Sequence, residues 1–288
     1  MIKNFFDISD LDKSILLSII NSEANHQLLN GKNIGLIFEK ASTRTRLSFQ
    51  VGISQLGGNA INIRYEELNI SREESFEDTF KALNCYLDGL IFRTNDHRKL
   101  KKASSFFKKP IINALSDRSH PCQILSDLFT LKEHFGSLNL NILWIGDMNN
   151  VCFSLIEAAN LIEEINLTIC TPEEIFNSKD WKINEKIIIN FDFNQIDFNN
   201  FDCIMTDVFI SMNDKVDHRK VKLLQPYMID KATMSKTNES CVFMHCLPAK
   251  VGYEVTEDVI NSKKSIVWKQ AYNRMIAQKK IFKFIKWN

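Results

Sequence analysis

The sequence predicts an α/β protein of two domains, each a parallel sheet flanked by helices, linked by helices that include the C-terminal one. Three observations predict it. Short apolar runs rich in β-branched residues alternate with segments whose apolar residues recur at helical spacing. The first two such runs, 33–38 and 60–63, are separated by one helical segment, which fits a βαβ crossover and a parallel sheet. The alternation restarts at Asn141 after a polar seam at 136–139, so a first domain over 1–135 and a second over 136–268 are expected, with a C-terminal helix over 269–288 joining the first.

Each element follows from its residues. Residues 8–30 read as a helical segment capped by Ser9-Asp10, with Leu11, Ile15, Leu16, Ile19 and Ile20 on one face. After the strand 33–38, Leu47, Phe49, Val51, Ile53 and Leu56 recur at helical spacing until Gly57-Gly58 stops them. A helix from Glu74 places Phe76, Phe80, Leu83 and Leu87 on one stripe, and the run 89–92 returns as a strand ending at Arg93. A basic helix over 97–107 leads to the strand 110–113. Pro121 is suited to the first position of the next helix, because its missing N–H is not needed there.

The second half repeats the pattern. Residues 141–145 form a strand, 146–150 a loop and 151–162 a helix with Leu155, Ala158, Ala159 and Ile162 inward, followed by a strand over 167–170. The pattern weakens over 171–200, where 186–189 offers one strand. Strands over 203–206 and 241–244 and a lysine-rich helix over 269–285 complete the chain.

Composition excludes several function classes. Balanced charge, 36 Lys+Arg against 35 Asp+Glu, provides no global field for nucleic acid or an anionic membrane. Seven scattered cysteines without a C-x-x-C pair argue against a disulfide framework and structural zinc. No signal peptide or membrane-spanning run is seen, so a cytoplasmic protein is expected. Neither G-x-G-x-x-G nor G-x-x-x-x-G-K-[ST] occurs, which removes support for NAD and ATP.

The chemistry gathers at strand ends. Between the first strand and its helix, Ser42, Thr43, Arg44, Thr45 and Arg46 place hydroxyls and guanidinium groups at a helix N-terminus, with Ser42 at the cap. Free N–H groups and the helix dipole there favour an anion such as phosphate. Arg93, Asp147, Asp207 and His245-Cys246 each sit just past a strand, where open parallel sheets bind ligands. His120 and Gln123 lie in the first turn behind Pro121.

These motifs together resemble the aspartate/ornithine carbamoyltransferase family, in order, from Phe38 to Arg274. Ser-Thr-Arg-Thr-Arg after Phe38-Glu39-Lys40 is similar to the phosphate loop of the ornithine branch. His120-Pro121-Cys122-Gln123 resembles the element whose polar side chains hold the carbamoyl group, and Arg93 the arginine placed on its carbonyl and phosphate. His245-Cys246-Leu247-Pro248 is similar to a hallmark of the ornithine branch, and Asp207 with Ser211-Met212 to the loop that takes the α-amino group of ornithine. Asn150 resembles the residue that binds the amino-acid moiety, and Arg274 an arginine of the terminal helix that reaches back to the phosphate.

The resemblance implies carbamoyl transfer from carbamoyl phosphate to the δ-amino group of L-ornithine, giving L-citrulline and phosphate, in arginine biosynthesis or in reverse in its catabolism. It implies that Ser42, Thr43, Arg44, Thr45, Arg93, His120, Gln123, Cys246, Leu247 and Arg274 hold carbamoyl phosphate. Asn150, Asp207, Ser211 and Met212 would hold ornithine, and Arg93, His120 and Cys246 act in catalysis. It implies no metal or organic cofactor, closure of the two domains with the Ser211-Met212 loop, and a homotrimer or a multiple of one. An N-acylated ornithine as acceptor and a catalytically silent metabolite-binding homologue are the alternatives. Phe209 stands for a usual Trp, Asn213 for a Gly and Tyr272 for a Glu, 71–74 lacks a usual Gly, and 171–200 is short; these departures bear on loop closure and turnover.

Overall fold

The structure, a computed structural model, describes residues 1–23, 26–71, 74–176, 181–210 and 217–287. The chain divides into two compact units, Met1–Phe129 with Asn273–Asn288, and Thr130–Tyr272. Each is a parallel sheet flanked by helices, the fold class the sequence predicts.

The first unit holds β1 (Asn33–Phe38), β2 (Asn59–Arg64), β3 (Gly89–Arg93) and β4 (Ile111–Leu115) in the order β2-β1-β3-β4, all parallel. The order reverses between β1 and β3, so the ligand-binding crevice of such a sheet opens beyond Phe38 and Arg93. Helices α1 (Lys13–Asn21), α2 (Thr43–Gln55), α3 (Phe76–Tyr86) and α4 (Arg98–Phe106) accompany these strands. Ile37, Phe80, Leu90, Phe92, Leu100 and Phe107 form its core, and burying each side chain of this size contributes about 1.5–3 kcal/mol.

The N-terminal segment corrects one expectation. In place of a helix over 8–30, the described residues form a 3-10 turn at Ile8–Asp10 and then α1, capped by Asp12 through Ile15 N–H. The carboxylate of Asp10 is taken by the N–H groups of Phe6 and Asp7, so it caps nothing further on. Ser22 ends α1 by returning its hydroxyl to Ile19 O. Two further starts shift by a residue or two: Ser75 caps α3, so Glu74 lies outside it, and α4 begins at Arg98.

Helix α5 (Pro121–Phe135) starts at the proline. The second unit then arranges β5 (Leu140–Ile145), β6 (Ile165–Cys170), β7 (Ile188–Asn190), β8 (Cys203–Thr206) and β9 (Val242–His245) in the parallel order β7-β6-β5-β8-β9. The order reverses between β5 and β8, which places the turns after Ile145 and Thr206 at the crevice. Gly146 makes the first turn with φ +115, and a Cβ there would meet Phe209 and Thr206 at 3.3 Å. Glycine is the residue that fits both demands. Helix α6 (Asn150–Leu161) follows that turn. Three short helices, α7 (His218–Leu224), α8 (Lys231–Ser235) and α9 (Glu257–Ile260), precede α10 (Val267–Phe282). The three have at most two turns each, too short for a periodic signal in the sequence.

Candidate active site

In the first unit the loop between β1 and α2 carries the hydroxyl and guanidinium groups. Ser42 occupies the N-cap position in extended conformation, as expected, but its side chain makes no bond to the first turn of α2. Thr45 is buried and accepts a hydrogen bond from Arg274 Nη2 at 2.5 Å. The same Nη2 lies 3.3 Å from His120 Nε2. Arg44 and Arg46 diverge: Arg44 bears electrostatically on Arg93, whereas Arg46 lines a cavity of about 460 Å³ with Lys40, Ser42, Thr43, Arg64 and Glu67.

Arg93 reaches this cluster because the β3–β4 register slips between Phe92 and Arg93, which re-aims the last residue of the strand. It is buried, and burial together with the charges of Arg274 and Arg44 lowers its guanidinium to about 10. Its buried Nε has no hydrogen-bond partner among the described residues. Glu39 ties down the loop that follows, accepting from Thr94 Oγ1 at 2.9 Å and Asn95 N–H at 2.8 Å and pairing with Lys99 at 2.5 Å. A buried guanidinium whose proton affinity is lowered by two neighbouring cations is stabilised by an anion.

His120 is buried, and that burial with the charges of Arg274 and Arg93 holds its imidazole well below the usual 6.5, so the ring is neutral at pH 7. Arginine only donates, so Nε2 is the accepting nitrogen and the ring hydrogen resides on Nδ1. Gln123, fully buried one turn into α5, donates to Asp127 Oδ1 at 2.8 Å. Burial also pushes the Cys122 thiol between them up to about 12, which makes it an inert core group.

In the second unit, Asp207 is buried and receives two side chains. Asn149 Nδ2 donates to its Oδ2 at 2.7 Å, and Cys246 Sγ–H to its Oδ1 at 2.7 Å. Asn149 also caps α6, its Oδ1 accepting from the N–H groups of Val151 and Cys152. Asn150 is the first helical residue and half-buried. Asp147 is buried and paired with Lys220 at 2.7 Å, beside a second cavity of about 460 Å³ lined by Met148, Glu174 and Arg219. Ser211 and Met212, and Asn213 with them, lie outside the described residues.

The loop after β9 is braced from within. His245 Nε2 faces Glu254 Oε1 at 3.2 Å, and His245 Nδ1 accepts the N–H of Leu247 at 2.9 Å. The backbone N–H of His245 is held by Gln270 Oε1 at 3.0 Å. These bonds hold Leu247 at φ 55, a region that non-glycine residues enter only when their surroundings demand it. Ligand-type atoms of Asp207, His245 and Cys246 lie within 4.8 Å of one another. Both ring nitrogens of His245 are committed to the protein, so this donor set is poorly suited to an ion.

Sequence reading passed over four of these residues. Asn149 was hidden beside Asn150, although an Asn directly before an apolar helix is a cap signal. Glu39 and Glu254 act on residues that the fold brings near, whereas Asp127 stands four residues past Gln123, the helical spacing at which such a pair meets.

Comparison with known proteins covers nearly the whole chain. Residues 3–133 match the family model of the aspartate/ornithine carbamoyltransferase carbamoyl-P binding domain, and 138–285 match that of the Asp/Orn binding domain. The chain is 36% identical to an ornithine carbamoyltransferase of Methanocaldococcus jannaschii, over 98% of each chain. It is 38% identical to one of Rhizobium johnstonii, over 97% of this chain and 96% of that one. The solved ornithine carbamoyltransferase of Pyrococcus furiosus superposes with a TM-score of 0.90 at 32% identity, over 98% and 96% of the two chains.

Proposed function

The chain belongs to the aspartate/ornithine carbamoyltransferase family, and on that premise we propose that it transfers the carbamoyl group of carbamoyl phosphate to the δ-amino group of L-ornithine, giving L-citrulline and phosphate. The observation that carries this reading is the pairing of opposite charges with the two units. One holds buried Arg93 and Arg274 near Arg44 with a neutral His120; the other holds buried Asp207 with Cys246 and Asn149. A dianionic phosphoryl donor and a cationic amino acid are the complementary partners.

In this reading Ser42, Thr43, Arg44 and Thr45 take the phosphate at the N-terminus of α2, where the helix dipole adds to the guanidinium charges. Arg274 turns from Thr45 and His120 to the phosphate. Its departure from His120 Nε2 lets the ring proton occupy that nitrogen, so His120 with Arg93 donates to the carbonyl oxygen, and Gln123 holds the carbamoyl amide. As the amine adds, that oxygen becomes an oxyanion, and each preorganised donor contributes about 3 kcal/mol to the transition state.

Asp207 receives the α-ammonium group, with Asn150, Ser211 and Met212 around the amino-acid moiety and Leu247 beside the carbamoyl group. Attack requires a neutral δ-amine, whose lysine-like pKa of about 10 leaves it mostly protonated in water at pH 7. Cys246, whose thiol hydrogen is shared with Asp207, relays the δ-ammonium proton towards the Asp207 carboxylate. Attack also requires the nitrogen within about 3–3.5 Å of the carbonyl carbon. Phosphate leaves with its charge held by Arg44 and Arg274. A homotrimer, or a multiple of one, is the assembly proposed, and the seven unbridged cysteines support a cytoplasmic setting.

The test is formation of the carbamoylated (ureido) product and phosphate by the purified protein supplied with carbamoyl phosphate and, in parallel, L-ornithine, N-acetylornithine or L-aspartate. Product with L-ornithine alone, lost in Arg44→Ala, supports the reading. No product with any acceptor, from protein that carbamoyl phosphate protects against unfolding, overturns it.

A further inference from the structure

Beneath the loop that delivers His120 lies a buried polar cluster that takes no part in the chemistry just described. His97 Nε2 stands 3.2 Å from Asp7 Oδ2, and His97 Nδ1 stands 2.9 Å from Ser116 Oγ. The other oxygen of Asp7 accepts the Ser119 hydroxyl at 2.5 Å. Asn113 Nδ2 donates to Phe6 O at 2.8 Å and to Ser119 Oγ at 3.1 Å. Ser116 and Ser119 close the turn on themselves: the Ser116 N–H donates to Ser119 O at 2.9 Å, and the Ser119 N–H to Ser116 Oγ at 3.1 Å.

Carboxylate, imidazole and hydroxyl in a row imitate a nucleophilic triad. Ser116 is fully buried and its hydroxyl is shared within the turn, so it attacks nothing. The order is instead that of a brace. It ties three separate segments together: the N-terminal strap, whose Phe5 exchanges backbone bonds with Ile111 and Asn113; the loop after Arg93; and the turn whose next residue is His120. His97 N–H also donates to Asp117 Oδ1 at 2.7 Å, a second tie between the same two loops.

We propose that Asp7 and His97 are positioning residues for His120, holding the turn 116–119 so that the His120 ring meets Arg274 and the reacting carbonyl. Asp7 is held anionic for this role. Burial favours its neutral acid, but hydrogen bonds from His97 and Ser119 and the charges of His97 and Arg118 outweigh that and keep the carboxyl below its usual range. The proposal rests on the reading of His120 as a donor to the carbonyl, and a misplacement near 1 Å in such a group costs about 100-fold in rate.

The test compares full-length wild type, Asp7→Asn, His97→Gln and Ser119→Ala. The chain has six histidines, so ¹⁵N imidazole spectra are assignable, with His120→Gln identifying the His120 signal. Wild type is expected to show His120 with its hydrogen on Nδ1. The Asp7 and His97 variants are expected to shift or broaden that signal and to lower kcat about 10- to 100-fold while KM for carbamoyl phosphate changes little. An unchanged His120 signal with kcat within twofold of wild type overturns the proposal, even where thermal stability falls. Should Asp7→Asn fail to fold, Ser119→Ala decides by the same readouts, since it removes one hydroxyl only. Absence of turnover in wild type itself refutes the functional reading, and the spectra still decide the role of Asp7.

Discussion

The two units solve one architectural problem with opposite charges. Each is a parallel sheet whose strand order reverses once, and each collects its polar side chains at the strand ends beside that reversal. The first unit gathers Arg44, Arg93 and Arg274, the last two buried, and holds His120 neutral among them. The second buries a carboxylate, Asp207, under an amide and a thiol. The comparison teaches that topology decides where a ligand binds, and a few loop residues decide its charge. Both units also brace a delivering loop with a buried carboxylate–histidine pair, Asp7–His97 before His120 and Glu254–His245 around Cys246.

Removing charge from either side tests the contrast. The largest effect is expected for Arg93→Ala, which deletes a buried donor and one of three cations: carbamoyl transfer should fall about 100- to 1,000-fold, measured as citrulline formed per active site. Asp207→Asn comes next. It keeps the shape and removes the charge, and KM for L-ornithine should rise about 10- to 100-fold, as truncation of one partner in a buried charge pair does, while KM for carbamoyl phosphate stays near wild type.

A smaller effect separates the units by pH. Above 6.5, the ordinary histidine value, His120 is neutral folded or unfolded and contributes nothing to the pH dependence of stability. Below it, the unfolded chain binds a proton that the buried ring refuses, so stability falls by about 1.4 kcal/mol per pH unit until the depressed folded value is reached. Denaturant melts between pH 7 and 5 should show this slope in wild type, and His120→Gln should lack its contribution. The smallest effect is expected for Asn149→Ala, which loses a helix cap worth about 1 kcal/mol and one hydrogen bond to Asp207. A shift in the melting midpoint with a modest rise in KM for L-ornithine would register both.

Much of this was legible in the sequence where local signals exist. Pro121 announces the start of α5, Gly57-Gly58 follow the end of α2 at Gln55, and the octet 39–46 announces a loop of hydroxyl and guanidinium groups that opens α2. The N-terminal helix was overextended because Leu11 to Ile20 share a helical period, whereas the Asp10 carboxylate is used to close a turn on Phe6 and Asp7. Glu254, Asp7 and His97 escape a sequence reading for another reason: each acts on a residue at least nine positions away, and pairings of that kind are set by folding, with no period or motif to mark them. Phe209, a departure from the family pattern, is fully buried against Gly146, so it serves the core of the second unit.

The contrast in charge is tested most directly by calorimetric titration of carbamoyl phosphate into wild type, Arg93→Ala and Asp207→Asn. Opposite-charge sites predict that binding is lost or weakened at least tenfold in Arg93→Ala and is unchanged in Asp207→Asn. Equal weakening in both variants would contradict the assignment of the phosphoryl donor to the first unit and of the cationic amine to the second.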